Sequence, residues 1–350
     1  MKATFLVVSA LVLAACAPRE MTAVEVPVAL AAAPKATLAD ADRFDEEAKR
    51  CEASTDTNGA LQATNRALRI REELLGSDDV NVARTLVRVA RFEWLVGRYD
   101  DSSKSIDRAL PILERALGPD ALDTGRALLI RAIALLHERN YVAAKPILDR
   151  ALPILESGGL PAAEDRLEAM DDIGLVYKSS GDTARALDLY VEAIAFGEGA
   201  FGRDSSKLAS VVGNYGETLR EAGDAKHAIA QLERAIVLAE KEYGPNSRHA
   251  AADMNNLAIA YQEGGELERA EALYRRALAI TERDLGSDDV STAQEYLNLG
   301  NVLCQRGDAV NGRDFYMRGL AIFERRLGHD HRETKMAYTV LDSLTACKGP

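Results

Sequence analysis

An all-α solenoid of stacked helix hairpins is the fold class this sequence predicts, and three observations predict it. Similar segments recur every 42 residues, each unit carries apolar residues at helical spacing, and the composition favours helix. Of 350 residues, 47% are hydrophobic, 28% charged and 5% aromatic, a globular balance rather than a disordered one. An array of this kind grows by stacking, so length does not set a domain count. The formal net charge of -12 repels a phosphate backbone, which excludes nucleic acid as an expected partner.

The chain opens on a targeting segment. Met1 and Lys2 give a positive start, and residues 5–15 form an apolar run. That run falls short of the ~20 residues of a membrane span and suits a signal peptide core. Leu13, Ala14, Ala15 and Cys16 resemble the lipobox of bacterial lipoproteins. The resemblance implies removal of residues 1–15 and a diacylglycerol on Cys16, with acyl chains enough for firm anchoring. Ala17 stands where many such lipoproteins carry the Asp that retains them in the inner membrane. An outer-membrane anchor facing the periplasm is therefore expected. Residues 16–39 contain Pro18, Pro27 and Pro34 and keep no helical period, so they read as a tether reaching roughly 25 Å.

From residue 40 to 347 the chain is periodic. The segments at 67–76, 109–118, 151–160, 193–202, 235–244, 277–286 and 319–328 align without an insertion. Glu72, Glu114, Glu156, Glu198, Glu240, Glu282 and Glu324 share one repeat position. Seven copies of one acid argue for structure, and the start of the following helix is the expected recipient of each carboxylate.

Residues 247–286 show how a unit is built. Ser247 or Asn246 can cap a first helix, whose stripe is Met254, Leu257, Ala258 and Tyr261. Gly264 and Gly265 break it. A second helix from Glu266 to Leu285 turns Leu267, Ala270, Leu273, Tyr274, Ala277 and Leu278 inward, and Gly286 ends it in the left-handed region. Ala90, Ala132, Gly174, Gly216, Ala258 and Gly300 occupy one position, where the helices must approach closely. Pro111 and Pro153 fall inside second helices, and the segment 157–166 breaks the usual inter-repeat pattern. Both predict a kink between residues 40–156 and 162–347. The first unit is weak, and residues 332–347 read as a capping helix.

Ala258, Tyr261, Gly265, Ala270, Tyr274 and Ala277 resemble the signature of the tetratricopeptide repeat. The usual unit has 34 residues, and the longer hairpin resembles that of kinesin light chains. The resemblance implies a right-handed superhelix of about seven repeats whose first helices line a concave, peptide-binding groove.

No zincin, phosphate-loop, paired CxxC or nucleophile-elbow pattern occurs. The chain is therefore expected to be no enzyme and to take no cofactor and no metal, His329 and His331 being the nearest approach to a metal pair. Cys304 and Cys347 fall on consecutive repeats and can form a disulfide, although Cys304 also suits the core.

The residues expected to touch partners form two groups. Asn214, Asn256 and Asn298 share a position from which, by resemblance, Asn clamps a bound backbone; an amide offers donor and acceptor together. Asn255, Asn301, Gln262, Arg220, Glu217 and Ile259 neighbour them. The competing reading is that these amides bond to the adjacent repeat. Arg84, Arg88, Arg91 and Trp94 lie on one helical face and suit an acidic segment. The competing reading there is pairing with Asp42, Asp45 and Glu46.

The expected function is a non-catalytic adaptor for other proteins or peptides. The alternatives are a regulatory subunit for a cell-wall hydrolase or protease, and a pilotin-like envelope assembly factor. Oligomeric state stays open.

Overall fold

The computed structural model describes residues 36–54 and 56–343. The signal peptide, Cys16, the tether up to residue 35 and Cys347 lie outside them. Among the described residues the elements are fifteen α-helices and two short 3₁₀ turns. The first helices of seven hairpins are α1 (Leu38–Ala53), α3 (Val80–Leu95), α5 (Leu122–His137), α7 (Ala163–Ser179), α9 (Ala209–Glu221), α11 (Arg248–Glu263) and α13 (Val290–Gln305). Their partners are α2 (Thr57–Leu75), α4 (Tyr99–Leu117), α6 (Tyr141–Ser157), α8 (Thr183–Phe201), α10 (Ala225–Tyr243), α12 (Leu267–Leu285) and α14 (Ala309–Leu327). The last described helix, α15 (Arg332–Ser343), packs on α14.

Local chemistry sets the helix ends. The N-cap positions of the second helices are 56, 98, 140, 182, 224, 266 and 308, one per repeat. There Asp56, Asn140, Asp182, Asp224 and Asp308 each accept a bond from a first-turn backbone N–H. The preceding residue has a positive φ in six of those turns; it is Gly in five and Arg139, at φ 56°, in one. The representative unit follows expectation. Ser247 caps α11 through Ala250 N at 3.2 Å, and Gly286 ends α12 at φ 86°. At the N-terminus, α1 starts at Leu38 under a capping box of Thr37 and Asp40, slightly ahead of the expected end of the tether at 39.

The small-residue row works as close-packing sites. A methyl on Gly174 would meet Tyr190 at 2.4 Å, and one on Gly300 would meet the Tyr316 backbone nitrogen at 2.6 Å. Hydrophobic packing forms two clusters that meet on opposite faces of α7. Ala169, Ile173 and Val176 belong to the earlier one, and Leu167 and Met170 to the later one. The prolines differ from the sequence reading only in number: Pro111 and Pro153 lie inside α4 and α6 as read, and Pro146 joins Pro153 in α6.

The recurring Glu also differs. Its partner is a side chain of the next hairpin rather than the next helix start. Arg108, Arg150, Arg234 and Arg276, again one repeat position, reach Glu72, Glu114, Glu198 and Glu240 at 2.5–2.7 Å. Glu192 breaks that Arg row, and Glu156 is met by Arg166 at 3.1 Å instead. Glu282 and Glu324 accept from the hydroxyls of Tyr296 and Tyr338. The following helix starts have caps of their own, as at Asp79 and Asp289.

Candidate partner-binding groove

Successive first helices touch one another, α3 with α5, α5 with α7, α7 with α9 and α9 with α11. Successive second helices make no comparable contact. The first helices therefore form the inner side of the curve. Arg91 of α3 reaches across α5 to Glu168 of α7 at 3.1 Å, a contact that only curvature permits.

One line of repeat positions, three and four residues apart, runs along the groove side of the first helices. It changes chemistry along the array. On α3 it is Arg84, Arg88 and Arg91; on α5, Arg126 with the buried Ile130 and Ile133; on α7, Glu168 and Asp172; on α9, Asn214 and Glu217; on α11, Asn256 and Ile259; on α13, Gln294, Asn298 and Asn301. A guanidinium stretch gives way to carboxylates and then to carboxamides.

The arginines are all engaged within the chain. Arg88 donates to Asp45 at 2.7 Å, as the competing reading expected. Arg84 instead takes Asp123 of the following hairpin at 2.7 Å, and Arg91 takes Glu168, whose charge holds the guanidinium above its usual value. Asp42 and Asp45 are also held by Arg71, which sequence spacing alone did not single out. Arg84 and Arg91 stay 46% and 41% exposed, so their outer edges still face the groove. Trp94 meets Tyr99 edge-on at 6.4 Å, and its indole Nε1 is buried without a partner.

The asparagine row divides between the two readings. Asn214 donates to Asp171 at 2.8 Å and Asn298 to Asn255 at 2.8 Å, each a bond back to the preceding repeat across 43 residues. Those two amide groups stiffen the stack. Asn256, half-buried on the same row, keeps its amide unengaged. Among the neighbours, Arg220 reaches Glu263 at 2.9 Å, Gln262 accepts from the Tyr274 hydroxyl at 2.8 Å, and Asn301 accepts from Gln305 at 3.1 Å. Past Asn298 the groove runs into a cavity of about 160 Å³ between α13 and α15, bounded by Leu297, Asn301, Met336 and Val340.

Sequence reasoning missed the buried acids beside this line. Asp171 is 8% exposed and accepts from Ser210 at 2.6 Å as well as from Asn214; burial lifts its pKa to about 6. Burial also raises Asp253 to about 7, with Glu217 and Asp171 adding to it, and Glu295 to about 8. Asp253 and Glu295 share one repeat position, and that recurrence was the available signal. Cys304 is fully buried and disulfide-bonded, Cys51 is a free thiol, and Cys347 lies outside the described residues. His329 lies 3.7 Å from Glu324 and edge-on to Tyr338. Among the described residues no helix is long and apolar enough to cross a membrane.

Solved structures with a similar course include a Rap protein complexed with competence and sporulation factor. It shows 14% identity over 89% of this chain and 88% of that one, with a TM-score of 0.62. The Rap conjugation gene regulator of plasmid pLS20, in complex with the Phr* peptide, shows 15% identity over 88% and 76%, with a TM-score of 0.58. BtubC from P. vanneervenii shows 18% over 68% and 94%, with a TM-score of 0.54. These likenesses establish the fold. No curated protein sequence matches significantly. Two models described as tetratricopeptide repeat match residues 81–157 with 200–283, and 166–206 with 292–333. Together they cover more than half of the chain, which therefore belongs to the tetratricopeptide repeat family.

Proposed function

We propose that this protein is a non-catalytic adaptor that holds an extended segment of a partner protein in its concave groove while a lipid on Cys16 anchors it to the envelope. The observation that carries the reading is the run of polar side chains along α7, α9, α11 and α13, with Asn256 unengaged and the cavity at its end. An unengaged carboxamide can pair a peptide unit whatever side chain that unit bears. Two fold neighbours are described in complex with a factor or peptide, which accords with this use of the fold. The lipobox-like Leu13, Ala14, Ala15 and Cys16 and the proline-bearing tether support a periplasm-facing, outer-membrane position.

A photoreactive residue placed at Asn256 in the full chain, in its own host, tests the groove. A discrete protein adduct from Asn256 and none from Lys226, exposed on α10, is expected. Equal adducts from both, or none from Asn256, overturn the reading. Cys16→Ser should release the protein from the membrane fraction; retention there rejects the lipid anchor.

A further inference from the structure

The groove over α7, α9 and α11 holds more carboxylate than the chain neutralises. Glu168, Asp171 and Asp172 come from α7, Glu217 from α9 and Asp253 from α11. Two of these five meet cations: Arg91 reaches Glu168 at 3.1 Å and Lys178 reaches Glu217 at 2.8 Å. Asp171 is satisfied by Ser210 and Asn214. Asp172 and Asp253 find no cation. The remaining cation nearby, Arg220, is taken by Glu263 and Glu221.

The isolation of Asp172 has a structural cause. At its repeat position, Arg88 and Asn214 each donate to a residue 43 positions earlier. For Asp172 that residue is Leu129, which is buried and offers nothing. A carboxylate has also replaced the donor. Its Oδ2 is sealed from solvent without a hydrogen-bond partner. Asp253 leans into the space beside Gly213, its Oδ1 only 2.4 Å from where a Cβ on that glycine would stand. One repeat on, Glu295 is 8% exposed and its Oε2 likewise has no partner.

Buried, unpaired carboxylates are costly, and stability alone selects against them. A ligand that brings positive charge removes the cost. Among the described residues no group of three or more His, Cys, Asp or Glu is placed to hold a metal ion. The chemistry therefore favours an organic cation over a metal. An ammonium is a compact charge that a single carboxylate can pair, whereas a metal ion needs several converging ligands. We propose that the groove over α7, α9 and α11 docks a basic segment of the partner, with lysine side chains pairing Asp172 and Asp253. This rests on reading the groove as the partner site and specifies the chemistry of its occupant.

The test uses the mature full-length chain and a fluorescently labelled, lysine-rich peptide of about 12 residues. The same peptide with every lysine acetylated serves as the comparison probe. Anisotropy should show binding of the first and not the second, weakening as salt rises toward ~0.5 M because screening shortens the reach of charge. Asp172→Asn with Asp253→Asn should weaken binding at least about 10-fold. Glu192→Gln with Asp188→Asn, exposed acids on α8, should leave it unchanged although the net charge changes equally. Circular dichroism at 222 nm confirms that both pairs stay folded. Binding should also weaken from pH 8 to pH 5.5, as Asp253, faced by Glu217 and Asp171, takes up a proton.

Binding that survives Asp172→Asn with Asp253→Asn, or that falls equally with the α8 pair, overturns the proposal. So does a lysine peptide that fails to bind at low salt. If Asn256 still crosslinks to a partner in that case, the groove reading stands and only the basic occupant is rejected; loss of both rejects the groove reading too.

Discussion

A methyl group added at Gly300 would meet the Tyr316 backbone nitrogen at 2.6 Å, while one added at Gly199 meets nothing within 4 Å. The first contact cannot be relieved by a rotamer change. Gly300→Ala should therefore cost about 1–3 kcal/mol, the range of overpacked cores. Gly199→Ala, on the exposed side of α8, should gain roughly 0.5–1 kcal/mol by restricting the unfolded chain. Urea unfolding of both variants checks the pair. Arg139 holds a left-handed conformation that the other repeats give to Gly, so Arg139→Gly should raise the melting temperature by relieving about 1–2 kcal/mol of strain. Glu295 titrates near 8 and Asp253 near 7, both above the ~4 of unfolded carboxyls. The folded state thus binds more protons than the unfolded one across that window. Their contribution is fullest below pH ~4 and is lost as pH rises through the folded values. Melting temperature should fall from pH 5 to pH 8.5, and Glu295→Gln should flatten that slope; a steeper slope in the variant contradicts the assignment. The small-residue row was legible because close helix approach demands it at one position per repeat. Glu295 went unread: its one signal was the repeat position it shares with Asp253, and a Glu in a helix otherwise reads as solvated until its neighbours are known.

Helix boundaries were legible where glycine or a capping residue announces them, as at Ser247, Gly264 and Gly286. The cap row that opens the second helices was readable in principle and went unread, because Arg98 and Glu266 interrupt it without a cap bond. Asp182→Ala should cost about 1 kcal/mol and Glu266→Asp should recover a similar amount, seen as opposite shifts in the urea midpoint. The Arg108, Arg150, Arg234 and Arg276 ladder escaped for another reason: each Arg sits 36 residues after its Glu, a spacing set by hairpin packing and not by one helix. At the last described hairpin, a Cys304–Cys347 bond is our proposal for how the array's end is fastened. Among Cys51, Cys304 and Cys347, the denatured, unreduced protein should then show one titratable thiol, Cys51. Three thiols would remove the bond.

The 42-residue period made seven hairpins legible before any coordinates, and the tetratricopeptide repeat family match agrees with it. What the period could not supply is curvature. The Arg91–Glu168 pair spans 77 residues, and the 43-residue bonds from Asn214 and Asn298 depend on how one repeat rotates against the next. Those contacts decide which groove residues are used internally and which stay open to a partner. Identical repeat positions therefore acquire different roles: Asn298 is structural, Asn256 remains open, and Asp172 is stranded. Hydrogen exchange, followed by mass spectrometry on the purified protein with and without the partner segment recovered from the Asn256 crosslink, tests the central claim most directly. The account predicts slowed exchange along α7, α9, α11 and α13, with α8, α10 and α12 unchanged. Slowing confined to the second helices, or no difference anywhere, would contradict it.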